Sequence, residues 1–245
     1  LPDRFFHSSL GDQDSVSLDG AEAHHLIHVL RAAPGADVIL FDGSGAEFLA
    51  RVERVERSVV RLTIIERREI DRELPCDVTL GVALPKGERQ RWLVEKATEL
   101  GVSRLVPLVT TRGVAQPTLE TLRRLRRAVV EASKQCGRNR LMQISEPLGW
   151  SDFVQAARDK GQRAGEALVR LLAHPGGMSL LNCGNEQRGT FNFVLAVGPE
   201  GGLTDVEAQQ ARDAGWQAVD LGSRILRVET AAIALVAAIT VPLPR

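Results

Sequence analysis

The sequence predicts an α/β protein in two parts, a small N-terminal β domain followed by a larger half built on a parallel sheet. Three observations carry this. From residue 77 onward, short apolar runs alternate with stretches whose apolar residues recur at helical spacing. Those runs are nearly continuous rather than alternating, which marks strands covered on both faces. Residues 37–65, by contrast, read as three short β segments: DVILFDG, EFLARVERV and SVVRLTIIE. The turn Asp42 to Gly45 (DGSG) lies between the first two.

Taken in order, DGAEAHHLIHVLRAAPG predicts one short helix with Leu26, Val29 and Leu30 on its apolar side. The charged stretch 66–74 (ERREIDREL), with Pro75 behind it, reads as a linker. The expected domains are therefore 1–72 and 73–245. Strands are expected at 78–84, 104–109, 167–173, 193–197 and 217–222. Helices are expected in ERQRWLVEKATELG, TLRRLRRAVVEASKQCG and LTDVEAQQARDAG. Gly101 and Gly215 stand where a helix stops, and Thr204 with Glu207 makes a capping-box pattern. The last helix, ETAAIALVAAIT from Glu229, is apolar nearly all round. Such a helix is buried against its own domain, a partner subunit, or both. Its alanines allow close approach of a second helix, so a homodimer interface is the preferred reading.

Lys and Arg together count 31, as do Asp and Glu, so net charge gives no argument for a nucleic-acid partner and local distribution must supply it. Cys76, Cys136 and Cys183 are odd in number and far apart, which fits neither a disulfide framework nor metal-ligand spacing. His24 and His28 lie four apart on a helix, but no H-E-x-x-H or Cys set accompanies them, and no metal is expected. LPDRFFHSSLGD has no signal-type apolar core, and the apolar run 231–239 is far too short for a bilayer. A cytoplasmic protein without a membrane partner is expected.

The most informative segment is FVLAVGPEGGLTDVE, an apolar strand running through a Gly-Pro-Glu-Gly-Gly loop into a capped helix. Ligands of open α/β sheets bind at the carboxyl ends of strands, which is where this loop sits. It lacks the Lys-Ser/Thr pair of a phosphate-binding P-loop. A second strand end, DLGSRILRVETAA, carries Arg224 and Arg227 directly into the apolar helix, and LLAHPGG (171–177) is a third. Three such loops predict one pocket. Arg227 is expected either in a structural ion pair with Glu229 or Glu200, or in the site itself. Residues 123–140 hold Arg123, Arg124, Arg126, Arg127, Lys134, Arg138 and Arg140 against a single acid, Glu131. That excess reads either as a solvated face or as a phosphate-binding surface. Few aromatics and no Tyr argue against base stacking on an aromatic sheet.

VALPKGERQRWLVEKATELGVSRLVPL, EASKQCGRNR, AVGPEGGLTDVE and LGSRILRVETAAIAL, together with RFF at 4–6 and HHLIHVLR at 24–31, resemble the bacterial 16S ribosomal RNA uridine-N3 methyltransferases. These are the RsmE type of the SPOUT superfamily, and the resemblance covers essentially the whole chain. It implies a parallel sheet with a C-terminal trefoil knot, a PUA-like N-terminal β-barrel, a homodimer, S-adenosylmethionine bound at the knot, and 16S RNA or the small subunit as substrate. By motif, Leu172, Ala173, His174, Gly198, Glu200, Gly201, Gly202, Leu221, Gly222, Ile225, Leu226, Arg227 and Thr230 would hold the cofactor. Arg224, Arg227 and Glu229 would serve catalysis, and Arg4, Arg31, Lys86, Lys134, Arg138 and Arg140 would meet RNA. Residues 141–146 depart from the family pattern, and 89–91 carry no assignable role. A ribose 2′-O methyltransferase of the same superfamily and a non-catalytic RNA-binding assembly protein remain the alternatives.

Overall fold

The computed structural model describes residues 3–11, 13–114, 116–163, 168–179 and 192–241, without the side chains of 158–163. Cys183 lies outside these residues. Contacts divide the chain into two units, Leu1–Glu73 with Val130–Leu141, and Leu74–Val129 with Met142–Arg245. The first unit therefore takes in a segment from far along the chain, which an expected cut at 72/73 does not anticipate.

The first unit is a five-stranded sheet. Its strands are β1 (Arg4–Phe6), β2 (Ser15–Leu18), β3 (Asp37–Phe41), β4 (Glu47–Val55) and β5 (Val60–Arg68), in the order β1-β3-β4-β5-β2. Only β1–β3 is parallel; the other pairs are antiparallel. Strand β5 runs on to Arg68, so 66–68 is strand and not linker. Its charged side chains there are Glu66, Arg67 and Arg68; Glu66 pairs with Arg68 at 2.7 Å and Arg67 with Glu69 at 2.8 Å. Strands β1 and β2 are too short to show a period in the sequence. Phe5, Leu18, Leu40, Phe48 and Leu62 fill the core. The expected helix is α1 (Gly20–His24), which widens into a π turn over His25–Val29. The extra residue per turn rotates Val29 out of the apolar face, so Leu26 is buried while Val29 is exposed.

The second unit has a parallel sheet in the order β12-β10-β11-β6-β7-β8. Its strands are β6 (Val78–Val82), β7 (Arg104–Val109), β8 (Gln143–Ile144), β10 (Leu168–Ser179), β11 (Asn192–Val197) and β12 (Gln217–Asp220), while β9 (Leu148–Gly149) pairs with β7. The helices are α2 (Arg89–Glu99), α3 (Leu119–Cys136), α4 (Trp150–Arg163), α5 (Asp205–Asp213) and α6 (Val228–Thr240). Helix α3 continues from this unit into 130–136 of the first. Side chains of a strand alternate between faces. On β11, Val194 and Ala196 face a core with Phe153 and Trp216 from the α4–α5 side, and α6 lies along β11, β6 and β10 beside α2. The sheet is thus covered on both faces, as its apolar strands predict. Helix α4 was missed by the sequence reading although Trp150, Phe153, Val154 and Ala157 carry helical spacing and are buried.

Strand β10 is interrupted where it matters most. Ala173 and Met178 both register with Val219 of β12, so residues 174–177 loop out and the chain returns to the same partner. The return needs Gly177: a Cβ there would lie 2.5 Å from the carbonyl carbon and oxygen of Ala218. No helix among the described residues is long and apolar enough to cross a membrane.

Candidate active site

Because β10, β11 and β12 are parallel, their carboxyl ends leave the sheet at one edge. The loops that follow, 174–177, 198–203 and 221–227, line one cavity of about 390 Å³, within the range of small-molecule sites. Apolar wall comes from Ala173, Val197, Leu203, Leu226, Val228 and Ala231. Polar groups are His174, Glu200, Asp220 and Arg224, with Arg112 from beyond β7.

Each loop is held by a specific donor or acceptor. Asp220, at the end of β12, accepts from the N–H of Gly222 at 2.8 Å and of Gly176 at 3.0 Å, joining two of the loops. Those N–H donors, Gly222 first, hold its carboxyl below the ordinary value. Gly222 adopts φ +108°, a conformation that L side chains rarely take. The third loop is tied by Arg112, whose Nη1 donates to the Gly201 carbonyl at 2.9 Å. Glu207 completes the capping box with Thr204 and also accepts from the Thr111 N–H at 2.8 Å. Burial pushes the Glu207 carboxyl up, but the N–H donors of Thr111 and Thr204 outweigh it and hold it low.

Arg89 is the residue the sequence reading left without a role. From the first turn of α2 it reaches Glu200 at 3.4 Å and Glu229 at 3.5 Å. Glu229 is buried on α6, so the ion pair expected between Arg227 and Glu229 or Glu200 is not made: both carboxylates take Arg89. Arg227 is instead the exposed residue capping α6, its carbonyl accepting from Ala231. A cation that must meet acids from two elements is visible only in the fold. The family-like motif KGERQRW held the signal, but not the partners.

Of the expected cofactor residues, Ala173, His174, Gly198, Glu200, Gly201, Gly202, Leu221, Gly222, Ile225 and Leu226 line the cavity. Leu172, Arg227 and Thr230 do not. Leu172 falls on the opposite parity of β10 and is buried in the core with Phe153 and Trp216; Thr230 is exposed on α6. Of the expected catalytic residues, Arg224 is on the wall and exposed, while Glu229 is buried behind it with Arg89. His174 has Nδ1 2.8 Å from the Pro175 carbonyl. A carbonyl only accepts, so Nδ1 is the donor in this contact.

Three of the expected RNA contacts have internal partners. Arg4 bonds Glu47 at 2.8 Å and the Asn139 amide oxygen at 2.6 Å. Lys134 bonds Glu22 at 3.0 Å, and Arg138 donates through Nε to Glu73 at 3.1 Å and is itself buried. Arg138 is buried and Arg4 and Lys134 nearly so, and cations so placed are kept with such partners, so all three tie the first unit together. Arg31, Lys86 and Arg140 are exposed, Arg31 at φ +52° and Arg140 beside the 42–45 turn.

The cavity is of mixed character. It pairs apolar wall with backbone-rich loops, and Cβ atoms built on Gly202 and Gly222 would meet nothing within 4 Å. Among the described residues, no group of three His, Cys, Asp or Glu stands close enough to hold a metal ion.

Comparison with known proteins agrees. A family model described as an RNA methyltransferase domain matches residues 72–240, and one described as an RNA methyltransferase PUA domain matches 18–65. The ribosomal RNA small subunit methyltransferase E of a Synechocystis strain is 35% identical over 217 residues, 89% of this chain and 70% of that protein. Its namesake from Mycobacterium tuberculosis is 33% identical over 242 residues, 97% of this chain and 90% of that one. The crystal structure of a ribosomal RNA small subunit methyltransferase E from Neisseria gonorrhoeae, bound to S-adenosylmethionine, is 30% identical. It superposes with a TM-score of 0.84 over 97% of this chain and 96% of that one. With a family model over residues 72–240 and relatives matching 89% to 97% of its length, this chain belongs to the ribosomal RNA small subunit methyltransferase E family of RNA methyltransferases.

Proposed function

We propose that the protein methylates N3 of a uridine in small-subunit (16S) ribosomal RNA, with S-adenosylmethionine as donor. The observation that carries this is the convergence of the 174–177, 198–203 and 221–227 loops on one cavity with Arg224 on its wall. The relatives' names and the cofactor in the Neisseria structure support both donor and RNA class.

The cofactor, when bound, supplies a methyl group already activated on a sulfonium. The protein's part is to position the acceptor and make it nucleophilic. Uracil N3 carries a proton at neutral pH, and losing it spreads negative charge onto the flanking carbonyl oxygens. Arg224 cannot take that proton, but its N–H donors can stabilise the resulting anion. The loops at 198–202 and 221–230 hold no His or Cys. His174, from the 174–177 segment, lines the same cavity. Arg89 fixes the Glu200 loop and the start of α6 without lining the cavity.

A homodimer is part of this reading. The less buried stripe of α6 runs through Ala231, Ala234, Ala238 and Val241, and Trp92 on the neighbouring α2 is 43% exposed. A cytoplasmic location follows from a ribosomal RNA substrate. Transfer of labelled methyl to small-subunit ribosomal RNA, followed by nucleoside analysis, tests the proposal. N3-methyluridine is the expected product; a 2′-O-methyl nucleoside would replace this reading with the ribose alternative, and absence of transfer would leave the non-catalytic one.

A further inference from the structure

We propose that Arg123, Arg124 and Arg127, on the exposed face of α3, form a docking surface for the phosphates of the RNA substrate; this rests on the reading of the protein as a ribosomal RNA methyltransferase. On this stretch of helix Leu122, Leu125, Ala128 and Val129 are buried, and Arg123, Arg124, Arg126 and Arg127 are exposed. Amphipathic spacing explains why polar residues stand there. It does not explain why all four carry the same charge in a chain whose charges balance overall.

The arginines are not used internally to the same degree. Arg126 donates to the Ile144 carbonyl at 3.0 Å and to Glu146 at 2.9 Å. Arg124 stands 4.0 Å from Glu88, with both side chains more than half exposed, a contact worth little. Arg123 and Arg127 take no carboxylate among the described residues. The nearest acids along the helix are Glu120 and Glu131, and Glu131 is engaged by Lys134. Arg123 and Arg127 are four residues apart, so they repel one another and weaken the helix they sit on. A local choice that disfavours the fold points to a partner that rewards it. A polyanion does so, because each arginine placed on a phosphate releases condensed counterions.

The face is also near the chemistry. Arg124 faces Glu88, and the next residue, Arg89, bonds Glu200 on the cavity wall. The same loop carries exposed Lys86. RNA lying along α3 would therefore pass the cavity edge. The structural use of Arg4, Lys134 and Arg138 moves the phosphate contacts to this face.

The test uses the full-length protein carrying Arg123→Gln with Arg127→Gln, and purified small-subunit ribosomal RNA titrated across a range of salt. The slope of log affinity against log salt should flatten by about 1.4 to 1.8, from roughly 0.7 to 0.9 per phosphate contact removed. KM for RNA should rise about tenfold, while kcat at saturating RNA and cofactor affinity stay unchanged. Thermal stability should hold or increase, since a repulsion has been removed. Arg123→Lys with Arg127→Lys should keep the salt slope. An unchanged slope would make this face merely solvated, and a fall in Tm or cofactor affinity would make it structural; either overturns the proposal. A flattened slope in a protein that methylates no RNA would keep the docking surface and remove the enzymatic reading.

Discussion

Arg89 on α2 is the ion-pair partner that Glu229 has on α6, Nη1 to Oε2 at 3.5 Å, and its Nη2 holds Glu200 of the cavity loop as well. One guanidinium thus spans the segment after β6, the loop after β11 and the last helix. Arg89→Met should leave the buried Glu229 without a counter-charge. Unfolding free energy should fall by about 1–2 kcal/mol, less than for a fully buried pair because Arg89 is 37% exposed. Cofactor affinity by calorimetry should drop at least tenfold, with partial recovery in Arg89→Lys. Unchanged affinity would detach this cluster from the cavity.

Arg224 is exposed on the cavity wall and takes no carboxylate among the described residues, leaving its donors available. Arg224→Ala should bind cofactor within about twofold of the parent yet lose on the order of 100-fold in turnover, the scale for removing one donor to a developing anion. Its residual rate should climb with pH as solvent takes over making the anion. A loss of cofactor affinity in proportion to rate would make Arg224 a binding residue.

Asp220 joins two loops through the N–H groups of Gly222 and Gly176. Its carboxyl is held below the ordinary 3.8, so the folded state prefers it charged. The stabilisation is present above pH 3.8 and fades as pH falls through the lower folded value. The Tm gap between the parent and Asp220→Ala should therefore be open at neutral pH and narrow on acidification below 3.8. A gap independent of pH would place the effect in packing and not in charge.

The glycines divide into two kinds. A side chain on Gly177 meets the backbone of β12, which cannot yield, whereas one on Gly202, which lines the cavity, meets nothing within 4 Å. Gly177→Ala should lower Tm and cofactor affinity together. Gly202→Val should abolish cofactor binding with a smaller stability loss, about 1–2 kcal/mol for a branched residue at φ +68°. Scanning calorimetry and titration on the two variants separate these outcomes.

The parallel sheet, the Gly-Pro-Glu-Gly-Gly loop and the Arg224 segment were legible because each signal is local: a continuous apolar strand, a glycine cluster, a capping box. Legibility failed where partners lie far apart in sequence. Arg4 and Asn139, Glu22 and Lys134, Glu73 and Arg138 are separated by 65 to 135 positions, so nothing local distinguishes these cations from RNA-facing ones. Val29 was misplaced for a different reason, since a π turn breaks the 3.6-residue period on which the expectation rested. Arg89 combines both difficulties, an ordinary helical arginine given meaning by two distant acids.

Val130–Leu141 belongs by its contacts to the same unit as Leu1–Glu73. During synthesis, Glu22, Glu47 and Glu73 emerge from the ribosome well before Lys134, Arg138 and Asn139 exist. The early chain therefore waits, incomplete, while much of the catalytic sequence is still being translated. Cutting the gene after residue 73 would part Arg4, Glu22 and Glu73 from Asn139, Lys134 and Arg138, so an exchange of N-terminal pieces between relatives that keeps these pairs carries the 130–141 segment with it.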